Sequence, residues 1–306
     1  MSAAEPVGQP RGYTRSGSFA RVALAYALAL GAAIPVSRLA MEHLRGAEAS
    51  YLALAAGDVV ATLVVFAFSF GLRNSSVYDP YWMAVPPLFC AGSWMLRSGG
   101  SLGDRQWLVT ALVTAWALRL TWNWIRGWEG LDHEDFRYRD LARSTGRAYW
   151  LVSLTGLHFF PTALVLAGLL PAIPIFAGAG SGLGLADALA ATVTAGGIVL
   201  QAVADQQLRA FVRRRSGRDA ICATGLWRYS RHPNYLGELL FWTGLALFAL
   251  ATGRAAWWSW LGVAAILALF AFASIPMMER RLRAHKPGWD EHARRTSVLL
   301  PLPPRR

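Results

Sequence analysis

Eight apolar segments dominate this chain and restrict what it can become. They run over Phe19–Ser37, Ser50–Leu72, Pro80–Leu96, Trp107–Trp124, Tyr149–Phe176, Asp187–Ala204, Tyr235–Leu250 and Ala255–Met277. A helix needs about 20 residues to cross a hydrocarbon core about 30 Å thick, and most of these segments have that length. The fifth contains Pro161, which predicts a kink or a re-entrant part; the seventh is short. The sequence therefore predicts an all-α integral membrane protein, a bundle of about 7–8 transmembrane helices. A polar tail covers residues 1–18, and a single membrane-embedded domain covers 19–306. Only 16% of the residues are charged, where a soluble domain would carry nearer a quarter. The polar tail and the first apolar run show no secretory cleavage site.

The charges orient the spans. With the N-terminus and alternate loops assigned to the cytoplasm, 25 Lys/Arg fall inside and 5 outside. This is the bias that membrane topology produces. The same distribution removes nucleic acid as the explanation for a net charge of +12. The two cysteines, Cys90 and Cys222, form no zinc or redox pattern and are expected as free thiols. His133 and His158 are isolated, so no metal site is proposed. The glycine-rich run Gly178–Gly184 lacks the strand and spacing of a dinucleotide-binding loop and reads as a turn.

Polar residues collect where the spans meet the cytoplasmic side. In Gly225–Glu238, Pro233 suits the first helical turn, so a helix starts near His232 or Pro233. Asn234 and Glu238 then share one face, four residues apart. The free N–H groups of that helix start offer a seat for phosphate, with Arg228, Arg231 and His232 beside it. Gln201, Asp205 and Arg209 make a second stripe with the same spacing, suited to a ribose or amide and a phosphate. Arg119, Asn123 and Arg126 make a third, followed by His133–Tyr138. Arg119 either snorkels or meets an anionic ligand. The Glu134–Asp135–Arg137–Tyr138 string is either a structural salt-bridge knot or a cofactor contact.

These strings resemble the steroid 5-alpha-reductase family, above all its bacterial DUF1295 branch, from about Tyr78 to Pro301. The resemblance implies NADPH as cofactor and hydride transfer to an activated C=C bond of a lipophilic, steroid-like or isoprenoid substrate. It implies that Arg119, Asn123, Gln201, Asp205, Arg209, Tyr229, Arg231, His232, Asn234, Tyr235 and Glu238 hold the cofactor. Gln201 stands where the family has Asn. Asp79 falls on the family's catalytic Glu, with Tyr78 in place of the Gln before it, and Trp116 replaces a Tyr that hydrogen-bonds the substrate carbonyl. Asp79, Tyr78 and Trp116 are thus the candidate catalytic residues. A helix cap is the competing reading for Asp79, since Pro80 follows it, and Asp58, mid-span, is an alternative proton donor.

The expected partners are a lipophilic small molecule and membrane lipids, with no nucleic acid, and the expected location is the bacterial inner membrane. Two alternatives stand beside this reading. One is an S-adenosylmethionine-dependent methyltransferase of the isoprenylcysteine carboxyl type, which has a similar Arg-His-Pro-x-Tyr string. The other is a non-enzymatic lipid-binding membrane protein.

Overall fold

A computed structural model of the chain describes residues 12–96, 102–177, 182–215, 217 and 219–305. Among them the only β-pairing is one parallel bridge, Ser230 to Ser297. The rest is helix and connections, as the lengths of the apolar segments predict. The described residues form two compact units. Unit 1 comprises Met1–Leu102 and Val113–Ala179, and unit 2 comprises Gly103–Leu112 and Gly180–Arg306.

Unit 1 begins with α1 (Arg15–His43) and α2 (Ala49–Leu72), which pack as a hairpin. Helix α1 starts four residues before the apolar run because the Thr14 side chain accepts the Gly17 N–H and caps it. Then come a 3-10 turn (Ser75–Tyr78) and α3 (Tyr81–Leu96). Helix α4 (Asp104–Gly127) gives its last part to unit 1. Helix α5 (Phe136–Thr145) and α6 (Tyr149–Val152) lead into a π-helical stretch, Ser153–Phe159, and then α7 (Phe160–Leu169) and α8 (Ala172–Phe176). The irregularity expected at Pro161 is this π-helix. Proline has no N–H for the preceding turn, and the backbone widens just ahead of it. A second break falls at Leu170–Pro171, so the segment is not one straight span.

Unit 2 contains α9 (Leu185–Arg214), α10 (Pro233–Ala251), α11 (Leu261–Leu269), a second π-helix (Phe270–Ser274), α12 (Ile275–His285) and α13 (Trp289–Arg295). The second π-helix also stops just short of a proline, Pro276. Helix α10 starts where the sequence places it, with His232 as N-cap and Pro233 at its first position.

Six helical stretches among the described residues are long and apolar enough to cross a membrane: Arg15–His43, Ala49–Leu72, Phe136–Leu169, Leu185–Arg214, Pro233–Ala251 and Trp257–His285. The chain is a multi-pass membrane protein. Two segments read as spans form helices but do not meet both conditions. Helix α3 has 16 described residues, roughly 24 Å at 1.5 Å per residue. Helix α4 carries Asp104, Arg105, Arg119 and Arg126 among its 24 residues. The glycine-rich turn is described only over 182–184, and residues 1–11 of the tail lie outside the described residues.

Helices α9 and α10 touch through glycines. A Cβ on Gly197 would stand 2.6 Å from the Gly237 carbonyl oxygen and 2.7 Å from the Phe241 nitrogen. One on Gly237 would stand 2.5 Å from Gln201 Cγ and 2.7 Å from the Gly197 oxygen. Small residues here let two backbones meet directly, as helix pairs in lipid do. Gly197→Ala or Gly237→Ala is therefore expected to cost about 1–3 kcal/mol through overpacking. Gly196→Ala, where a Cβ meets nothing within 4 Å, should be neutral. Equal melting temperatures in detergent for all three variants would contradict this packing.

Candidate functional site

Unit 1 carries two carboxyl–phenol pairs. In the first, the Tyr81 hydroxyl donates to Asp58 Oδ1 at 2.5 Å, joining α3 to the middle of α2. The second oxygen of Asp58 is buried with no hydrogen-bond partner. Next to this pair, the Tyr78 hydroxyl meets Thr162 Oγ1 at 2.7 Å, and Thr162 meets Thr62 at 2.9 Å. The Tyr78 ring packs against Tyr81 and His158, with centroids 5.4 and 4.9 Å apart. His158 lies in the π-helix and hydrogen-bonds the Ser69 hydroxyl at 3.0 Å. This is a polar strip inside apolar helices.

The second pair belongs to a knot at the end of α2. Tyr138 donates to Asp79 Oδ1 at 2.5 Å. Asn74 donates to the carbonyls of Leu131 and His133, at 2.7 and 3.1 Å. The Ser75 N–H donates to Glu134 Oε1 at 2.8 Å, and the Ser75 hydroxyl meets Tyr149 and Ser153 at 2.7 and 2.9 Å. Arg137 clasps Asp135 with two hydrogen bonds, of 2.9 and 3.0 Å. The Glu134–Tyr138 string is thus part of a structural knot that fastens the turn before α3. Burial pushes the Asp79 carboxyl up to about 6, against the lowering effect of the Tyr138 hydrogen bond and the Arg137 charge. Burial likewise pushes Glu134 up to about 7. For Asp135 burial also acts upward, but the hydrogen bonds and charge of Arg137 prevail and hold it low.

Glu134 makes a pH prediction. Its folded pKa lies above the ordinary value of 4.5 for a glutamate, so the folded state binds the proton more tightly than the unfolded chain. Its stabilising contribution is complete below about pH 4.5 and declines as pH rises to about 7. The full change is about 3 kcal/mol, at 1.36 kcal/mol per unit. Glu134→Gln should flatten that part of the pH–melting profile. A variant profile that keeps the wild-type slope between pH 5 and 7 would show that Glu134 is not the group.

The other candidates of unit 1 are more scattered. Trp116 is fully buried, its ring edge-on to Trp82 at 5.9 Å. Arg119 is half-buried on α4. Asn123 lies one turn further on and accepts a 2.8 Å hydrogen bond from Arg126.

In unit 2, the close approach at Gly197 and Gly237 presses Gln201 of α9 against Glu238 of α10, and Gln201 Nε2 donates to Glu238 Oε2. Trp242, one turn along, donates its indole N–H to Glu238 Oε1 at 2.8 Å. Gln201 is 2% exposed, yet its Oε1 is buried with no partner. Asn234 Oδ1 is also buried and unpartnered. Asp205 and Arg209 are half-buried on the Gln201 stripe. Tyr235 is sandwiched, stacking on His232 at 5.3 Å and on Phe270 of the second π-helix at 4.4 Å.

Arg231 and His232 are committed to Glu279. Each lies 3.2 Å from Glu279 Oε1, and Arg231 Nη1 also donates to the Ala293 carbonyl. Two of the candidates for phosphate contacts thus lock α10 to α12. Tyr229 is exposed, with the Arg228 guanidinium over its ring. Trp242 was legible as the residue four beyond Glu238. Tyr81 and Glu279, by contrast, lie 23 and 47 positions from their partners, beyond any local spacing rule.

The profile described as "Protein of unknown function (DUF1295)" matches residues 65–296. This chain belongs to the DUF1295 family. The match takes in both carboxyl–phenol pairs except Asp58, and all of the α9–α10 contact. A relative from Schizosaccharomyces pombe, "Uncharacterized protein C594.04c", is 28% identical over 232 residues, covering 66% of this chain and 67% of that protein. No solved structure matches the chain.

Proposed function

We propose that this DUF1295 protein is a membrane oxidoreductase that uses NADPH to reduce an activated C=C bond of a lipophilic steroid-like or isoprenoid substrate, in the manner of the steroid 5-alpha-reductases it resembles. The observation that carries the reading is the pair of buried amide oxygens, Gln201 Oε1 and Asn234 Oδ1, which have no donor. Buried polar oxygens are normally paired. A nicotinamide carboxamide and ribose hydroxyls supply the missing donors, and Arg209, on the same stripe, suits a phosphate. When bound, NADPH supplies the hydride. The chain's own part is to donate a hydrogen bond and a proton where negative charge collects on the substrate carbonyl oxygen. Asp58 with Tyr81 is the pair assigned that role, because it is intramembrane and its second carboxyl oxygen is unused. Asp79 is given the structural role in the knot. The bacterial inner membrane is the proposed site of action.

Asn234→Ala is the test. It removes an unpartnered group, so the melting temperature should hold. Dinucleotide affinity should fall by about 1–3 kcal/mol, the value of leaving the cofactor donor unpaired. Unchanged NADPH affinity, or thermal stabilisation of the wild type by S-adenosylmethionine and not by NADPH, would overturn the assignment.

A further inference from the structure

The chain beyond α13 is strapped to the start of α10. The Arg231 N–H donates to the Ser297 carbonyl at 2.8 Å, the His232 N–H to the Val298 carbonyl at 3.1 Å, and the Ser230 hydroxyl to the Val298 carbonyl at 3.2 Å. Since α10 is a membrane-crossing helix that begins at Pro233, the strap fixes residues 297–298 at the level where that helix enters the apolar layer. The segment then curls back, and the Arg305 N–H donates to the Arg295 carbonyl at 2.9 Å. The loop so closed encloses a cavity of about 370 Å³.

The lining of this cavity is divided by chemistry. Arg294, Arg295 and Arg305 stand at it, with Thr296 and Ser297, and no acidic residue lines it among the described residues. Arg231 lines it too, but is engaged with Glu279. Arg294, Arg295 and Arg305 are exposed; Arg295 pairs with Glu291 at 3.1 Å, a contact solvent-exposed on both sides that holds the guanidinium only weakly. Leu299, Leu300 and Leu302 line the cavity as well. Val298, Leu300 and Leu302 are each more than a third exposed. The segment bends over residues 298–300, and the Leu302 N–H closes a tight turn on the Leu300 carbonyl at 2.9 Å. Exposed leucines beside exposed arginines, at the boundary of a membrane helix, are unfavourable in water alone.

We propose that this cavity binds the phosphate headgroup of an anionic phospholipid of the surrounding leaflet, with the Val298–Leu302 edge against its glycerol and upper acyl carbons. Guanidinium groups match a phosphate diester by paired hydrogen bonds. The Lys/Arg bias places this end of the chain on the cytoplasmic side, whose leaflet is the anionic one and attracts basic segments next to a membrane span. The argument is independent of the reductase reading, since it uses none of Gln201, Asn234, Glu238, Asp58 or Tyr81.

Native mass spectrometry of the purified protein, titrated separately with phosphatidylglycerol, phosphatidylcholine, inorganic phosphate and NADPH, tests it. The wild type should retain phosphatidylglycerol in preference to phosphatidylcholine. Arg294→Gln, Arg295→Gln and Arg305→Gln should each weaken that retention about fivefold, the worth of one charge at an anionic surface. Arg294→Lys, which keeps the charge but loses the paired hydrogen bonds, should retain the lipid better than Arg294→Gln and less well than the wild type, which separates a loss of charge from misfolding. Leu300→Ser with Leu302→Ser should weaken lipid retention and leave inorganic phosphate binding unchanged. Equal retention of the two lipids by the wild type would overturn the proposal. So would phosphatidylglycerol retention that survives loss of all three arginines, or loss of NADPH binding with them, which would assign the cavity to the dinucleotide.

Discussion

Asp58→Asn is expected to lower turnover by about 10²–10⁴-fold, the usual worth of a positioned general acid, while the protein still folds. The substitution keeps an oxygen that can accept the Tyr81 hydroxyl, and it changes only the oxygen that is buried with no partner. Tyr81→Phe should also reduce turnover, since it removes the 2.5 Å hydrogen bond that orients the carboxyl. Asp79→Asn should do the reverse. It weakens the acceptor of the Tyr138 hydroxyl in the knot, so the loss appears in melting temperature rather than in the rate of the folded fraction. Rates measured for NADPH oxidation with an enone substrate, alongside thermal melts, separate the two carboxylates. Full activity in Asp58→Asn with collapse in Asp79→Asn would return the acid role to Asp79.

Splitting Arg105 from Asp187 should cost about 3–5 kcal/mol of stability, the cost of leaving one partner of a buried pair without the other. The side chains are 7% and 2% exposed. Arg105 Nε donates to Asp187 Oδ1 at 2.5 Å and Nη2 to Oδ2 at 2.9 Å. Nη2 also reaches the Ala251 carbonyl at 3.2 Å, and Asp187 accepts the Gly184 N–H at 2.9 Å. One ion pair therefore fastens the start of α4, the start of α9 and the end of α10. Asp187→Leu alone leaves a buried guanidinium without a counter-charge. Arg105→Leu together with Asp187→Leu should recover most of the loss, because removing both charges removes both desolvation costs. A double variant no more stable than Asp187→Leu would show that the value lies in the backbone contacts instead.

The helical class and most span positions were legible because apolar length is a local property, written residue by residue. The start of α10 was legible for the same reason, since Pro233 after His232 is a helix-start signal. The span count was less so. Helix α3 has 16 described residues, and α4 carries its charge at intervals that break an apolar window without breaking the helix. Among site residues, the Asn234–Glu238 and Gln201–Arg209 stripes followed from helical spacing. Their tertiary partners did not. Nothing in the sequence near His232 announces that Glu279 will claim it and Arg231, and nothing near Asp58 announces Tyr81. Such pairs are set by which helices pack, α2 with α3 and α10 with α12; the Gln201–Glu238 contact likewise depends on Gly197 and Gly237, whose missing side chains carry no pattern of their own.

The strap between residues 230–232 and 297–298 also bears on how the chain is made. A ribosome emits Arg231 and His232 well before Ser297 and Val298 exist. During that interval α10 enters the bilayer with the backbone N–H groups at its threshold bonded to water, and with Glu279 not yet available to their side chains. The order of events then follows from covalent sequence: α11 and α12 must cross and deliver Glu279, and the strap closes last. A nascent chain arrested at residue 290 should hold α10 inserted but open to protease near Trp227–His232, and release of the remaining residues should close that window.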